Sequence, residues 1–294
     1  MSSIQAASIR RVVAGSVTED SPDVLAVEEP LEIRLGIQGS GHRAISITMR
    51  TPGDDTELAA GFLFTEGIIK SRDQIKRIRH CGPQSRDMPS NYIDIEGRNP
   101  SGSEGASSNT IRVDLNADPG IDLKRLERNF YTTSSCGVCG KSSIEALHTG
   151  VKKLSHLDHP TMDSDLIRGL PELLRASQNV FDQTGGLHAS ALFNGHGELE
   201  IVREDVGRHN ALDKIIGSKF LEGELPLNEK ILLVSGRASF ELVQKALMAG
   251  IPIMVAVGAP SSLAVALAKE FGMTLAGFVR GDSFNVYSGR ARIV

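Results

Sequence analysis

The C-terminal third of the chain alternates short apolar strands with helices, and this rhythm constrains the fold more than any other feature. "EKILLVSG", "PIMVAVGA" and "TLAGFVRG" have the apolar character of buried strands. "RASFELVQKALMAGI" and "PSSLAVALAKEFG", which lie between them, carry apolar residues at helical spacing. Strands and helices that alternate in this way predict an α/β layer with a parallel sheet and helices packed on it.

The first third of the chain is typical of strands instead. "LAVEEPLEIRLGI" and "RAISITMR" alternate apolar and polar residues, and "NYIDIEG" and "IRVDLNA" continue that pattern. "ELAAGFLFTEGII" predicts a short helix that begins near Asp54, Asp55 and Thr56. The Gly/Ser-rich stretch at 98–110 predicts a flexible loop. Further along, "HASALFNGHGELEIVRED" predicts a hairpin that turns at 194–197, and "GRHNALDKIIGSKFL" predicts a helix.

These patterns divide the chain into a strand-rich domain at 1–130, a cysteine-bearing loop at 131–145 and an α/β domain at 146–294. A net charge of −4 and the absence of Trp argue against a nucleic-acid partner. No apolar run reaches the roughly 20 residues that cross a bilayer, and the N-terminus lacks a signal-peptide pattern. We therefore expect a cytoplasmic protein that does not bind membranes.

Small residues and arginines follow the three apolar strands, at 235–237, 258–262 and 278–283. Ligands of open α/β sheets bind at the carboxyl ends of strands, and the first two loops lead directly into predicted helices, whose N-termini attract anions. Arg237 and Arg280 would add charge-assisted contacts to a phosphate. None of the loops matches a known phosphate-binding fingerprint, so ordinary turn and capping chemistry explains each of them as well.

Polar side chains are also concentrated in "TGGLHASAL" and "REDVGRHNALDK", where His188, Asp205, Arg208 and His209 are the notable residues. Asp205 could simply cap the predicted helix that follows it. The sequence leaves the roles of these four residues open.

"TTSSCGVCGK" places Cys136 and Cys139 two residues apart in the segment that joins the two halves. Structural zinc needs four ligands, and only Cys81 beside His80 could complete a set, without ordinary spacing. A thioredoxin-like pair should lie between a strand and a helix, but no βαβ unit surrounds this segment. Sulfur carriage needs an exposed, mobile thiolate, and the glycines and Lys141 of this loop are compatible with one.

Several motifs together resemble the FdhD family of formate dehydrogenase accessory sulfur carriers, and the resemblance covers residues 57 to 288. The matching stretches are "ELAAGFLFTEGII", "SSCGVCGK", "TGGLHASAL", "EDVGRHNALDK", "SGRASFELVQKA", "GAPSSLAVALA" and "GFVRGDSFNVYS". "EDVGRHNALDK" and "SGRASFE" are the most specific of them.

The resemblance implies a sulfurtransferase-type carrier. It would accept persulfide sulfur from a cysteine desulfurase and deliver it to the molybdenum (or tungsten) bis(guanine dinucleotide) cofactor of formate dehydrogenase. Cys136 matches the persulfide-bearing cysteine of the family and Cys139 its partner. The family also implies a homodimer, and a cytidine-deaminase-like α/β/α layered core joined to a smaller strand-rich N-terminal domain. We expect no tightly bound metal of the protein's own.

The segment 278–283 matches the cofactor-binding segment of the family, in agreement with the strand-end argument. The predicted cofactor contacts from the three loops are Ser235, Gly236, Arg237, Gly258, Ser261, Phe278, Val279, Arg280, Gly281, Asp282 and Ser283.

Two other functions compete with sulfur carriage. Zinc deaminases combine His-Ala-Glu with Pro-Cys-x-x-Cys, whereas here Ser190 stands where the glutamate is needed and no proline precedes Cys136. Deamination therefore lacks its general acid/base, although zinc held by His188, Cys136 and Cys139 stays open. A cofactor chaperone without chemistry of its own predicts that both cysteines are dispensable.

Overall fold

The computed structural model describes residues 2–17, 20–37, 41–81, 109–116, 151, 153–154 and 160–294. The strands are β1 (Ile4–Ile9), β2 (Val12–Val13), β3 (Ser16–Val17), β4 (Ser21–Ala26), β5 (Glu29–Ile37), β6 (Gly41–Arg50), β7 (Ile75–His80), β8 (Thr110–Leu115), β9 (His188–Phe193), β10 (Leu199–Asp205), β11 (Ile231–Val234), β12 (Ile253–Ala256), β13 (Thr274–Arg280) and β14 (Ser283–Ser288). The α-helices are α1 (Asp55–Thr65), α2 (Ser164–Ala176), α3 (Asn179–Thr184), α4 (Arg208–Glu222), α5 (Phe240–Met248) and α6 (Ser262–Phe271). The "NYIDIEG" strand and nearly all of the 98–110 loop, both predicted from sequence, lie outside the described residues.

A six-stranded sheet with the order β10-β9-β11-β12-β13-β14 organises the C-terminal half. β11, β12 and β13 are parallel, as the alternation of strands and helices predicts, while β9, β10 and β14 run antiparallel to their neighbours. Every residue of β11 and β12 is buried. Leu232 and Val234 of β11 pack in the core that includes α4, α5 and α6, and Ile231 and Leu233 pack in the core that includes α2. Helices therefore cover both faces of the sheet, which explains the continuous apolar character of these strands.

The predicted β9–β10 hairpin is confirmed. Its turn is closed by hydrogen bonds from Asn194 N to Glu198 O (3.0 Å) and from Gly197 N to Asn194 O (3.0 Å). Gly197 has a φ of 80°, in the left-handed region that glycine adopts without strain.

A four-stranded sheet of order β6-β5-β8-β7 forms the N-terminal half, and α1 packs on it through a shared apolar core. The other side of α1 crosses α4 at very short range. A Cβ on Gly61 would lie 1.9 Å from Asp213 O, and one on Gly217 would lie 1.8 Å from Glu57 O. The two backbones therefore touch through glycines, and this crossing joins the two halves of the molecule.

Three features of the fold were not predicted from the sequence. β1 pairs with β4 in a separate two-stranded ribbon. β14 folds back on β13, so that the loop at 278–283 is a hairpin and does not lead into a helix. α2 and α3 precede β9, and α2 covers one face of the large sheet. Among the described residues, no helix is long and apolar enough to cross a membrane.

Candidate functional site

The three predicted strand-end loops lie side by side at one edge of the large sheet. Gly258 N donates a hydrogen bond to Gly236 O (2.9 Å), and Phe278 N donates one to Gly258 O (3.1 Å). Each loop is thus bonded through its backbone to the next. The loops after β11, β12 and β13, which the sequence places at strand ends, therefore meet at one edge of the sheet.

Glycines make this close approach possible. A Cβ on Gly258 would lie 2.9 Å from Gly236 O and 3.0 Å from Arg237 N. A Cβ on Gly277 would lie 2.9 Å from Pro260 Cδ. Any larger residue at either position would push the loops apart, because neither backbone atoms nor a proline ring can move aside by changing rotamer.

Phe278 holds a strained conformation at this edge. Its φ of 55° is left-handed, which is uncommon for a residue with a bulky side chain. The strain coincides with an irregularity in the β13–β14 pairing between Gly277 and Arg280. It leaves the ring of Phe278 36% exposed, with the guanidinium of Arg280 5.8 Å from the ring centroid. Strain of this kind is often found at functional sites.

Two adjoining cavities lie along the edge, between the loops and α2. The first has a volume of about 550 Å³ and is lined by Pro171, Leu174, Arg175, Gln178, Phe181, Gly185, Gly186, Leu187, His188, Ser235 and Val257. The second has a volume of about 520 Å³ and is lined by Pro171, Glu172, Arg175, Ala176, Asp182, Val257, Val279, Arg280 and Gly281. We call the two together the strand-edge groove.

Four of the predicted cofactor contacts line this groove. Ser235 lines the first cavity, and Val279, Arg280 and Gly281 line the second. The hydroxyl of Ser235 already accepts a hydrogen bond from Ala189 N (2.9 Å), which ties the loop to β9. The other predicted contacts stand beside the groove without lining it: Gly236, Arg237, Gly258, Ser261, Phe278, Asp282 and Ser283.

Ser261 has a structural role. Its Oγ accepts a hydrogen bond from Ala264 N (3.2 Å) and so caps α6. Ser239, at the equivalent position before α5, makes no such cap. Its Oγ instead lies 3.3 Å from Nε2 of His209.

The outer wall of the groove, formed by α2 and α3, was missed by sequence reasoning. Leu170 and Leu174 of α2 are buried against the sheet, and Arg175 faces the groove with its guanidinium 4.3 Å from the ring centroid of Phe181. The spacing of Ile167, Leu170 and Leu174 in "DLIRGLPELL" is the signal that could have indicated the helix.

His188 and His209 stand close to the sheet edge and to Arg208. A Cβ on Gly236 would lie 3.4 Å from Nδ1 of His188. Burial, reinforced by the charge of Arg208, lowers the pKa of His188, although Asp205 opposes the shift. Burial is also the main cause that lowers the pKa of His209 to about 4, with Lys245 and Arg208 adding to it. Both imidazoles are therefore neutral at neutral pH and can accept or donate hydrogen bonds.

Asp205, in contrast, is a structural residue. It is fully buried and accepts hydrogen bonds from Gly207 N (2.8 Å), Asn210 Nδ2 (3.0 Å) and Thr51 N (3.2 Å). Lys214 Nζ lies 2.8 Å from Oδ2 of Asp205. Asp205 thus stabilises the start of α4 and its junction with the N-terminal half. The interpretation of Asp205 as the helix cap was wrong, because Gly207 occupies the N-cap position and no side chain caps the helix there.

Cys136 and Cys139, the predicted catalytic pair, lie outside the described residues. Cys81, just after β7, is partly buried and donates its backbone N–H to Thr110 O (2.8 Å). His80 Nε2 lies 3.5 Å from Asp55 Oδ2. The part of the chain that the structure describes contains no group of three or more His, Cys, Asp or Glu side chains placed to hold a metal ion.

Comparisons with known proteins agree on one family. A model of the FdhD/NarQ family matches residues 26–294. The sulfur carrier protein FdhD of Streptomyces avermitilis is 50% identical over 287 residues, which cover 96% of this chain and 93% of the relative. The protein of the same name from Saccharolobus solfataricus is 41% identical over 283 residues, which cover 96% and 95%.

A solved structure is similar as well. The crystal structure of a formate dehydrogenase accessory protein from Desulfotalea psychrophila superimposes with a TM-score of 0.71 at 27% identity and covers 99% of both chains.

Proposed function

Because this chain belongs to the FdhD/NarQ family, we propose that it is a sulfur carrier that serves formate dehydrogenase. The observation that supports this function most strongly is the 50% identity, over nearly the whole chain, to a protein named for that activity. "SSCGVCGK" supplies the thiols that such a carrier needs.

Cys136 is the proposed carrier of the sulfur. A thiolate on Cys136 attacks the outer sulfur of a persulfide on a cysteine desulfurase. The S–S bond of the donor breaks, its cysteine leaves as a thiolate, and a persulfide forms on Cys136. The substrate that receives this sulfur is the molybdenum or tungsten bis(guanine dinucleotide) cofactor. For the release, a thiolate on Cys139 attacks the sulfur atom of Cys136, a Cys136–Cys139 disulfide forms, and the outer sulfur leaves as sulfide.

The strand-edge groove is the proposed binding site for a nucleotide end of that cofactor. Arg280 lines it without a carboxylate partner in the described part of the chain, so its charge is available to a phosphate. Gly281 lets a phosphate approach the backbone closely, because it has no Cβ. His188 lines the first cavity as a neutral imidazole, which can exchange hydrogen bonds with a ligand.

We also propose that the large sheet is of the cytidine-deaminase type. Its central order β10-β9-β11-β12-β13, with only the last three strands parallel and helices on both faces, supports this relationship. The chain is further proposed to act as a homodimer in the cytoplasm, which sedimentation of the purified protein and cell fractionation would test.

The decisive experiment is the intact mass of the protein after incubation with a cysteine desulfurase and cysteine. We expect a gain of one sulfur atom that reductant removes and that Cys136→Ala abolishes. The same variant should fold normally yet fail to support formate dehydrogenase activity. Activity that survives in Cys136→Ala would favour the cofactor chaperone. One zinc ion per chain that is lost in Cys139→Ser would favour a metal site.

A further inference from the structure

Gln178 carries a buried donor that the fold leaves unused. The residue is only 5% exposed, and its side-chain Nε2 has no hydrogen-bond partner among the residues that the structure describes. It lines the first cavity of the strand-edge groove, near His188 and Ser235. A buried amide without a partner is destabilising and uncommon in folded proteins.

The local structure explains why this side chain is free. Gln178 occupies the N-cap position of α3, yet its side chain makes no cap hydrogen bond. The first turn of α3 is capped instead by a carboxylate from β10: Glu204 accepts hydrogen bonds from Val180 N (3.0 Å) and Phe181 N (2.8 Å). Because Glu204 does the capping, the amide of Gln178 can be directed to another partner.

The cavity around this amide has the lining of a small-molecule site. Apolar side chains, among them Leu174, Phe181, Leu187 and Val257, form much of its lining, and a few polar groups are placed between them. This combination of an apolar cavity with few polar groups is typical of small-molecule sites. Arg280 lines the adjoining cavity, where it can meet the phosphates of the same ligand.

We propose that the amide N–H of Gln178 recognises the ring carbonyl of a fused lactam heterocycle in this cavity, and so sets the specificity of the site. Guanine and pterin rings share this carbonyl, whereas adenine presents an amino donor at the corresponding position. The inference rests on the proposed function, since it names the part of the nucleotide cofactor that the first cavity takes.

The first test compares ligands on the unaltered protein. Calorimetric titrations use GDP, IDP and ADP, and a fluorescence titration uses 6-hydroxymethylpterin. IDP keeps the carbonyl of GDP and should bind with similar affinity. ADP should bind on the order of tenfold more weakly, because its amino group would face the donor of Gln178.

The second test removes the donor. Gln178→Leu should weaken the binding of the lactam ligand on the order of tenfold and abolish the preference for GDP over ADP. The unliganded variant should melt at the same temperature or higher, because an unpaired buried polar group has been replaced by an apolar one of similar size. Gln178→Met is the second variant, in case the branched side chain of leucine does not fit.

The outcomes separate this inference from the function that it rests on. A loss confined to GDP identifies guanine as the occupant, and a loss confined to the pterin identifies the pterin; both support the proposal. If the protein binds GDP but Gln178→Leu and Gln178→Met bind it equally well, Gln178 plays no part in recognition and the nucleotide site stands. If neither GDP nor the pterin binds, the nucleotide site itself is refuted, whatever the persulfide assay shows.

Discussion

The α1–α4 crossing and the strand-edge groove differ in the hydrogen bonding of their buried polar groups. At the crossing, Asp213 accepts a hydrogen bond from Thr65 Oγ1 (2.9 Å), and Lys245 Nζ lies 2.9 Å from its Oδ2. Asp205 and Lys214 form a second buried pair nearby. In the groove, the Nε2 of Gln178 is buried without a partner among the described residues, and Phe278 beside the groove holds a left-handed φ.

This difference distinguishes a joint from a binding site. Buried charges with several partners fix one arrangement of the two halves, since removing either member of a pair leaves the other unpaired. Unused donors and backbone strain contribute nothing to the unliganded protein and persist where a ligand can satisfy them. We therefore expect substitutions at the crossing to change stability, and substitutions in the groove to change binding.

The largest expected effect is at the crossing. Gly217→Ala places a Cβ about where Glu57 O now lies, at 1.8 Å, so the two helices must separate. Since this contact is between backbones and cannot be relieved by a rotamer change, we expect the free energy of unfolding to fall by at least about 4 kcal/mol. Urea unfolding followed by circular dichroism measures the loss.

Gly169→Ala is the matched control, because Gly169 lies within α2 and a Cβ there meets nothing within 4 Å. It should stabilise the protein by about 0.4–1 kcal/mol, through the lower entropy of the unfolded chain. Equal effects of the two substitutions would contradict the description of the crossing.

A pH-dependent effect should come from His209. Its folded-state pKa of about 4 lies below the ordinary histidine pKa of 6.5, so the unfolded chain binds the proton more readily. The stability contributed by the neutral imidazole is complete above about pH 6.5 and is lost progressively as the pH falls towards about 4. Over that window we expect the protein to lose about 3 kcal/mol more than His209→Gln does.

Urea unfolding at a series of pH values between 7 and 4 measures this difference. His196→Gln serves as the control, since His196 is exposed in the β9–β10 turn and should follow the unaltered protein. Parallel curves for the protein and His209→Gln would show that His209 is not held neutral by burial.

Arg280→Ala should weaken GDP binding by tenfold or somewhat more, because a charge-assisted contact contributes on the order of 1.5–3 kcal/mol. Its melting temperature should change little, since the side chain is exposed. Calorimetric titration measures the affinity, which should also fall as salt is raised. Arg290→Ala, an exposed arginine beyond β14, should bind GDP as the unaltered protein does. Equal affinities of the two variants would remove Arg280 from the site.

The smallest expected effect is at Phe278. Asparagine tolerates the left-handed region, so Phe278→Asn should raise the free energy of unfolding by about 1 kcal/mol while GDP binding weakens. Ala14→Gly relieves a similar φ of 46° in the β2–β3 turn and should leave GDP binding unchanged. If Phe278→Asn leaves both the affinity for GDP and the free energy of unfolding unchanged, the conformation of Phe278 has no functional role.

Local patterns were sufficient to predict much of the C-terminal half. β11, β12 and β13 are continuous apolar runs followed by small residues, and α5 and α6 repeat apolar residues at helical spacing. These patterns also placed 235–237, 258–262 and 278–283 at the carboxyl ends of strands, and such ends lie at one edge when neighbouring strands are parallel. β14 was missed because "SFNVYS" is short and mixes polar with apolar residues, and its pairing with β13 supplies the reason for its conformation.

The sequence by itself determined the layered α/β half, the strand-end loops and the presence of two closely spaced thiols, because each depends on residues that are near one another in the chain. Only the tertiary structure decided which polar side chains are satisfied. Asp205 has a structural role because Thr51 and Lys214 bind its carboxylate. The amide of Gln178 does not cap α3 because Glu204 caps that helix instead. Such partners come from distant parts of the chain, so no local pattern records them.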